Sequence, residues 1–411
     1  MKETVKLGSV LSDIAMGPFG SNLKVENFQE HGVPVIRGKN LSGFYVSDEN
    51  LVFVSPEKAA ELSRSLARPG EIVVTHRGTL GQVSLIPANG KYPAYLVSQS
   101  QMRLAVDPRL ADARFITYWM RSRLGQLTLS AFATQTGVPA IAQPTTSLSA
   151  YPISLPSLSS QSAIASILGS LDDKIAANST AIEKALLLQS AVWVNGTKDV
   201  GSVPLVCVSE PILGGTPPRK DEASWGGGYK WASVADMTAS PRSHLLNTAE
   251  TITSLAVGKK RFEPLPAGSV LLSARGTVGR VVSLVEPSSF NQSAYGFKIA
   301  PGFEAAFRLA VTSAVDELRA KSYGAVFSTI TKSQINEASV PAVFETADLP
   351  LHYQLNSLES LIVALEKENI TLAKTRDELL PLLMNGKISV REAEQEATSA
   401  GADLPSEEIE A

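Results

Sequence analysis

The sequence is poor in the residues that build disulfides, metal clusters and membrane spans. Its one cysteine, Cys207, excludes a disulfide within the chain and a cysteine-based metal cluster. Its four histidines, His31, His76, His244 and His352, show no metal-ligand spacing. No stretch approaches the ~20 apolar residues of a membrane helix, and MKETVKLGSV lacks the apolar core of a signal peptide. We expect a reducing, cytoplasmic setting away from membranes, with Cys207, in the apolar run VPLVCVS, as a buried strand residue.

Positive charge is also scarce, because the 411-residue chain has a formal net charge of -3. The acidity is concentrated at one end: residues 1–155 carry +4, residues 201–345 carry +2, and residues 346–411 carry -8. The two large segments are therefore mildly basic, which is compatible with DNA contact without demanding it. A chain of this length predicts two domains of roughly 100–200 residues.

The chain contains an internal repeat. RPGEIVVTHRGTLG, which ends at Gly81, recurs as PAGSVLLSARGTVG, which ends at Gly279. Further matches follow in the same order: SQS at 98–100 with NQS at 291–293, and TGV at 136–138 with YGA at 323–325. EIVVTHRG and SVLLSARG predict strands, each followed by a glycine-flanked tight turn, and residues 113–127 have helical spacing. A repeat of this length indicates a duplicated mixed α/β domain rather than a solenoid.

Two long stretches carry apolar residues at alternating spacings of four and three, which is typical of a heptad repeat. The first follows Pro156-Ser157 and the second follows Asp348-Leu349-Pro350, both typical helix starts. A helix about 45 Å long needs a partner for its apolar side. We expect an antiparallel coiled coil between the two, with packing of each helix on its own domain as the alternative. The predicted seam consists of Ile164, Leu168, Leu171, Ile175, Ile182, Leu355, Leu358, Ile362, Leu365 and Leu372.

The sequence therefore predicts a mixed α/β (α+β) fold with two tandem-duplicated globular domains, 1–155 and 199–345. A central heptad helix over 156–198 and a C-terminal heptad helix over 346–390 follow them, and Pro381 is expected to end or kink the second helix near Leu380. The acidic segment 391–411, REAEQEATSAGADLPSEEIEA, is predicted to be disordered.

This arrangement, together with local motifs, resembles the specificity subunit of type I restriction-modification enzymes. The matching motifs are PGEIVVTHRGTLGQV with its twin, QSAIASILGSLDDKI after the first domain, and LAKTRDELLPLLMNGKISV near the C-terminus. The resemblance spans about residues 5–390. One departure is that the second helix opens LPLHYQLNSLESLI, without the Gln-x-x-Ile pattern of Gln161–Ile164.

The resemblance implies that each globular domain is a target recognition domain that reads one half of a bipartite double-stranded DNA target. It implies that the helices set the spacing between half-sites and dock two methyltransferase subunits, which motor-nuclease subunits join for phage defence. The chain itself would be a non-catalytic subunit without a cofactor of its own. S-adenosylmethionine, ATP and Mg²⁺ would be bound by the partner subunits.

Motifs that would make the chain itself an enzyme are absent. TPPR at 216–219 lacks the polar first residue and the aromatic of an adenine methyltransferase loop, and GGTPPRK lacks the Walker A spacing. LDDK at 171–174 superficially resembles nuclease carboxylates, but on a heptad helix Asp172, Asp173 and Lys174 are expected to face solvent. The glycine clusters at 214–215 and 226–228 read as loops rather than phosphate cradles.

Direct reading of DNA needs Arg, Lys, Asn and Gln on loops at matching places in the two repeats. Arg77 and Arg275 occur in both repeats, so they cannot encode a difference between half-sites, and phosphate contact or an ion pair within the fold is an equal alternative. Base selection is expected in loops 37–45 and 219–231, which differ most. The candidates are Lys24, Arg37, Lys39, Asn40, His76, Arg77, Gln99 and Gln101 in the first domain, and Arg219, Lys220, Tyr229, Lys230, Arg275, Arg280, Asn291 and Gln292 in the second.

A second class of function stays open on the sequence alone. A protein–protein adaptor can use the same duplicated fold without reading DNA, and the modest positive charge of the two domains fits that alternative.

Overall fold

The computed structural model describes residues 3–134, 137–240, 242–321, 328–346 and 349–403. The chain divides into two compact units. The first consists of Met1–Ala176 and Ile370–Ala411, and the second of Ala177–Asn369. Two long helices each contribute one segment to each unit, so the helices belong to both.

The elements up to residue 197 are mostly short strands followed by helices. The strands are β1 (Glu3–Lys6), β2 (Leu11–Met16), β3 (Val33–Ile36), β4 (Val52–Val54), β5 (Leu66–Ala67), β6 (Ile72–Thr75), β7 (Val83–Leu85), β8 (Tyr95–Val97), β9 (Gln101–Val106) and β10 (Pro152–Leu155). The helices are α1 (Pro56–Glu61), α2 (Ala113–Arg121), α3 (Arg123–Ala131), α4 (Pro144–Ser149) and α5 (Leu158–Thr197).

The remaining elements repeat this order. The strands are β11 (Ser202–Pro204), β12 (Ile212–Leu213), β13 (Trp225–Ala232), β14 (His244–Leu245), β15 (Glu250–Ile252), β16 (Val270–Ser273), β17 (Val281–Leu284), β18 (Ser288–Phe290), β19 (Ala294–Phe297) and β20 (Ser339–Pro341). The helices are α6 (Leu205–Val208), α7 (Val234–Ala239), α8 (Ser254–Val257), α9 (Glu304–Lys321), α10 (Lys332–Glu337), α11 (Pro350–Asn385) and α12 (Val390–Ser399).

The first unit is built on two four-stranded sheets. One has the order β2-β9-β6-β7 and is antiparallel, and the other has the order β4-β3-β8-β5 with β3 and β8 parallel. The apolar faces of β6, β9 and α2 share one core with the first half of α5 and the second half of α11. This core includes Ile72, Val74, Met102, Leu104, Phe115, Ile116, Ile164, Leu168, Leu379 and Leu383.

The second unit has a five-stranded sheet of order β12-β19-β16-β17-β14 and a three-stranded sheet of order β15-β13-β18. Helix α9 buries Phe307 and Val311 against β16 and β19. The duplicated fold predicted from the repeat is confirmed, because β6 and β7 form the same antiparallel hairpin as β16 and β17. Each hairpin turn uses two glycines at φ of 78° to 90°, a region that favours glycine.

The two long helices pair, as predicted. Within the second unit their directions are antiparallel: Asn178 of α5 donates to Asn369 (3.0 Å), whereas Gln189, further along α5, donates to the Leu355 carbonyl earlier in α11 (3.2 Å). Among the seam residues of this unit, Ile182 and Ile362 are fully buried in one cluster, with Leu358 and Leu365 packed against it, and Leu355 is fully buried beside Trp193. In the first unit, Ile164, Leu168, Leu171 and Leu372 lie in the main core, and Ile175 packs against it.

Helix boundaries differ from the predictions at two places. The helix predicted over 113–127 is interrupted at Ser122, whose hydroxyl accepts from the Gly125 amide (3.1 Å) and so starts α3. Of the two outcomes expected at Pro381, an end or a kink, the end is wrong, because α11 continues to Asn385. The neighbouring Leu379 and Leu383 are 4% and 2% exposed, so their packing outweighs the hydrogen bond that proline removes.

The C-terminal segment is not disordered where the structure describes it. Helix α12 covers Val390–Ser399, and Ser389 with Glu392 forms a capping box at its start. Ala393 and Ala397 are fully buried in the first unit's core, which explains why an acidic stretch folds. Residues 404–411 of the predicted tail lie outside the described residues.

Two further predictions about single residues are wrong. Cys207 is exposed and lies in the short helix α6 instead of a buried strand. Asp172 is 8% exposed, because its carboxylate accepts from the Tyr118 hydroxyl and from Arg376, each at 2.5 Å. None of the described helices has the length and hydropathy of a membrane span.

Candidate nucleic-acid interface

Four loops of the first unit converge at one end of its sheets. They are residues 17–24, 37–40, 75–82 and 98–101, here called the first loop set. The Gln99 amide donates to the carbonyls of Gly20 (2.5 Å) and Leu23 (2.6 Å). The Gln82 amide donates to the Gly38 carbonyl (2.8 Å), and the His76 backbone amide donates to the Ser100 carbonyl (2.9 Å). These bonds fix the loops to one another.

Three cationic side chains project from this set. Lys24, Lys39 and Arg77 are exposed, and among the described residues their side chains have no hydrogen-bond or ion-pair partner. Unpaired cations on fixed loops are suited to phosphate oxygens, because no internal ion pair has to be broken on binding.

The other candidates of the first unit hold the loops in place. Asn40 exposes none of its surface, and its amide donates to the carbonyls of Ser47 (3.0 Å) and Glu49 (2.9 Å). Gln101 is 2% exposed and donates to the Thr75 hydroxyl (3.2 Å). Both amides are buried and use their hydrogen bonds internally, so this structure presents neither to a base edge, and DNA contact by the two residues stays a prediction.

Three more candidates are bonded to or buried within the fold. Arg37 donates to the Asn50 carbonyl (2.9 Å) and is half-buried. His76 is 6% exposed, and burial lowers its pKa, which keeps the ring neutral at neutral pH. The Gln99 amide already donates to the Gly20 and Leu23 carbonyls. Arg37 and Gln99 thereby support the loops that carry Lys24, Lys39 and Arg77.

The second unit assembles a corresponding set from residues 214–220, 225–231, 274–280 and 291–293, here called the second loop set. The Trp231 indole donates to the Gly215 carbonyl (2.9 Å), and the Asn291 amide donates to the Ala232 carbonyl (3.0 Å). The Ala274 amide donates to the Ser293 carbonyl (2.8 Å), which is the counterpart of the His76–Ser100 bond in the repeat. The same backbone framework therefore presents both sets.

Lys220, Arg275 and Tyr229 are the exposed candidates here whose side chains have no partner among the described residues. Arg219 is held more firmly: its guanidinium forms two hydrogen bonds with Glu250 and lies 4.1 Å from the Trp225 ring centroid. Because Arg219 is already paired, contact with a base would require it to release Glu250.

The remaining candidates of the second unit stabilise turns. Lys230 donates to the Leu246 carbonyl (2.6 Å) and pairs with Glu286 (3.0 Å). Arg280 donates to the Met237 and Ser240 carbonyls at the end of α7. The Asn291 side chain accepts from the Ser293 amide (3.2 Å), and the Gln292 side chain bonds the Thr216 hydroxyl.

One supporting residue of the first set was not among the candidates. Gln82 follows the hairpin glycine Gly81, as Arg280 follows Gly279, and each side chain ties its turn to a neighbouring segment. The repeat itself carried this signal, since the two residues occupy equivalent positions.

A buried charge cluster connects the second globular domain to the helix segments of its own unit. Arg308, which is 3% exposed, donates to both Glu359 oxygens (2.9 and 2.6 Å) and to Gln189 (2.6 Å). His244 lies 2.9 Å from Glu359 through Nε2 and 2.9 Å from Glu366 through Nδ1. Burial acts to lower the pKa of His244, but the two carboxylates outweigh it and raise that pKa.

The same cluster affects Glu359 in the opposite direction. Burial acts to raise the pKa of Glu359, but His244 and Arg308 hold it well below its usual range. The cluster therefore places the Arg308 guanidinium and the His244 imidazole against the carboxyl groups of Glu359 and Glu366, away from water. A cavity of about 420 Å³ adjoins it, lined by residues that include His244, Ser283, Glu359 and Lys367.

Comparison with known proteins agrees with the geometry. The family described as Type I restriction modification DNA specificity domain matches residues 3–187 and 206–343. A specificity subunit of the type I restriction enzyme MjaIX from Methanocaldococcus jannaschii is 25% identical over 191 residues, which is 44% of each chain. The match thus spans less than half the length of that relative.

The fold is shared with a solved structure. The crystal structure of the type I restriction-modification S subunit from M. genitalium superposes with a TM-score of 0.63, over 93% of this chain and 96% of that one. At 16% sequence identity this likeness concerns the fold alone.

Proposed function

This chain belongs to the Type I restriction modification DNA specificity family, and on that premise we propose that it is the DNA-reading subunit of a type I restriction-modification complex. In this proposal each unit reads one half of a bipartite double-stranded DNA target through its own loop set. The chain directs methylation and cleavage to a sequence without performing either reaction.

The observation that carries the proposal is the occurrence of two corresponding loop sets. Each is fixed by internal hydrogen bonds, and each presents cations without internal partners: Lys24, Lys39 and Arg77 in the first, Lys220 and Arg275 in the second. A duplicated framework that carries different side chains is what reading two different half-sites requires. A pure adaptor has no need of exposed, unpaired cations at the same place in both repeats.

The proposal extends to partners that share the work. Two methyltransferase subunits dock on the chain, and motor-nuclease subunits complete the restriction complex in the cytoplasm. S-adenosylmethionine, ATP and Mg²⁺ are bound by those subunits, and this chain needs no cofactor of its own. Among the described residues no group of three or more His, Cys, Asp or Glu side chains is arranged to hold a metal ion.

The proposal is tested by co-expressing the chain with its candidate methyltransferase subunit and sequencing methylated adenines in the host DNA. We expect co-purification and methylation of one bipartite motif with a fixed spacer. A complex that forms but methylates nothing contradicts the DNA-reading role. Failure of the two proteins to associate contradicts the proposed partner and favours the adaptor function.

A further inference from the structure

The loop between β2 and β3 exposes two large apolar side chains. Phe19 is 71% exposed and Val25 is 77% exposed, more than any other large apolar side chain of the described first unit. Single exposed apolar residues are ordinary on protein surfaces. Phe19 differs from an ordinary one because the backbone on both sides of it is fixed.

The backbone before Phe19 is held at Gly17. The Gly17 amide donates to the Gln101 carbonyl (2.8 Å), and a Cβ on Gly17 would lie 1.9 Å from the Ser98 carbonyl oxygen, so only glycine fits. The backbone after Phe19 is held by the Gln99 amide on the Gly20 and Leu23 carbonyls. The loop therefore presents the ring in water on a fixed backbone, which lowers the entropy lost on binding.

The repeat shows that the second unit has a different residue at this position. Its Gly214 amide donates to the Ala294 carbonyl (3.4 Å), as Gly17 donates to Gln101, so Phe19 is equivalent to Thr216. Thr216 is half-buried, and its hydroxyl bonds Gln292, the counterpart of Gln99. The framework is therefore shared, while the side chain that it presents is aromatic in one unit and a bonded threonine in the other.

From this difference we infer that Phe19 is a specificity-determining residue of the first unit, which makes an apolar contact with the 5-methyl group of a thymine in its half-site. Lys24 and Lys39, in the same loop set, are placed for the flanking phosphates. An aromatic or aliphatic side chain against the thymine methyl is a direct way to recognise that base in the major groove. The inference rests on the proposed function, because it requires the first loop set to face DNA.

The test uses the purified complex of the full chain with its methyltransferase subunit. Once methylation sequencing has given the target, each thymine is replaced in turn by uracil, which lacks only the methyl group. Burial of one methyl corresponds to about a fourfold change in affinity. We expect uracil at one position, in one half-site, to weaken wild-type binding about fourfold. Phe19→Ala should bind the thymine duplex about fourfold more weakly than wild type does. Uracil at that position should then have no further effect on Phe19→Ala.

Two further variants keep the test sharp. Phe19→Leu retains an apolar side chain and should keep part of the thymine preference. Leu110→Ala removes a side chain that is 50% exposed beyond the opposite end of β9, and it should match wild type.

The inference is overturned if no uracil position distinguishes wild type from Phe19→Ala. It is also overturned if Phe19→Ala binds DNA normally but no longer co-purifies with the methyltransferase, because Phe19 would then be a contact with that protein. Failure of the proposed function looks different, since the wild-type complex would then have no methylated motif at all.

Discussion

Replacing Arg308 with alanine should destabilise the second unit more than any substitution of an exposed cation. The guanidinium makes three hydrogen bonds, two to Glu359 and one to Gln189, at 2.6 to 2.9 Å. Its removal leaves Glu359 buried with His244 as its one remaining cationic partner among the described residues. Breaking a buried ion pair in this way costs about 3–5 kcal/mol. For a unit of this size the midpoint of thermal unfolding should fall by about 6–20 °C.

Urea unfolding followed by tryptophan fluorescence measures this loss, because Trp193, Trp225 and Trp231 lie in the second unit and only Trp119 lies in the first. Arg275→Ala is the matched control, since Arg275 is exposed, and its effect should stay within about 0.5 kcal/mol.

The loss is attributed to a buried Glu359 carboxylate without its guanidinium partner, so the double variant Arg308→Ala/Glu359→Gln should recover part of it. A loss below about 1 kcal/mol for Arg308→Ala, or no recovery in the double variant, would refute this account of the cluster.

Three other predictions follow from the same structure. His244 has a raised pKa, so its contribution to stability is complete below about pH 6.5 and is lost as the pH rises through the folded-state pKa. The difference in unfolding free energy between wild type and His244→Gln should therefore narrow from pH 6 to pH 9. A constant or widening difference would contradict this. Asn40→Ala removes two side-chain hydrogen bonds to carbonyls and should lower the free energy of unfolding in urea by about 2–3 kcal/mol. The folded variant should keep the wild-type methylation motif. An altered motif would instead support a base contact by Asn40. Lys39→Ala should weaken DNA binding by the assembled complex similarly for all sequences and reduce the salt slope by about one. Lys298→Ala, at an exposed lysine beyond the end of β19 that lies away from the second loop set, should change neither.

Features with a strong local pattern were predictable from the sequence. The hairpins at Gly78–Gly81 and Gly276–Gly279 followed from β-branched runs and paired glycines, and the pairing of α5 with α11 followed from the heptads. Helix α12 was also predictable, because Ser389-x-x-Glu392 is a capping box and such a local signal outweighs the acidic composition of the segment.

Features that depend on tertiary contacts were not predictable. Asp172 was expected to face solvent because a heptad pattern describes packing against a single partner helix. In the first unit, however, α5 packs against both α11 and α2, and Asp172 bonds Arg376 of α11 and Tyr118 of α2. Asn40 and Gln101 are polar residues on loops, and only the fold shows that their amides close those loops from within. For the same reason residue type did not separate the exposed cations Lys39 and Arg77 from the supporting candidates around them.

The central claim is that each unit contacts its own half of a bipartite DNA target. Hydroxyl-radical footprinting of the purified complex on its methylated target tests it most directly, with Lys39→Ala in the first loop set and Lys220→Ala in the second. We expect two protected segments, with Lys39→Ala weakening protection in one and Lys220→Ala weakening protection in the other. Loss of the same segment in both variants, or a footprint that neither variant changes, would contradict the claim.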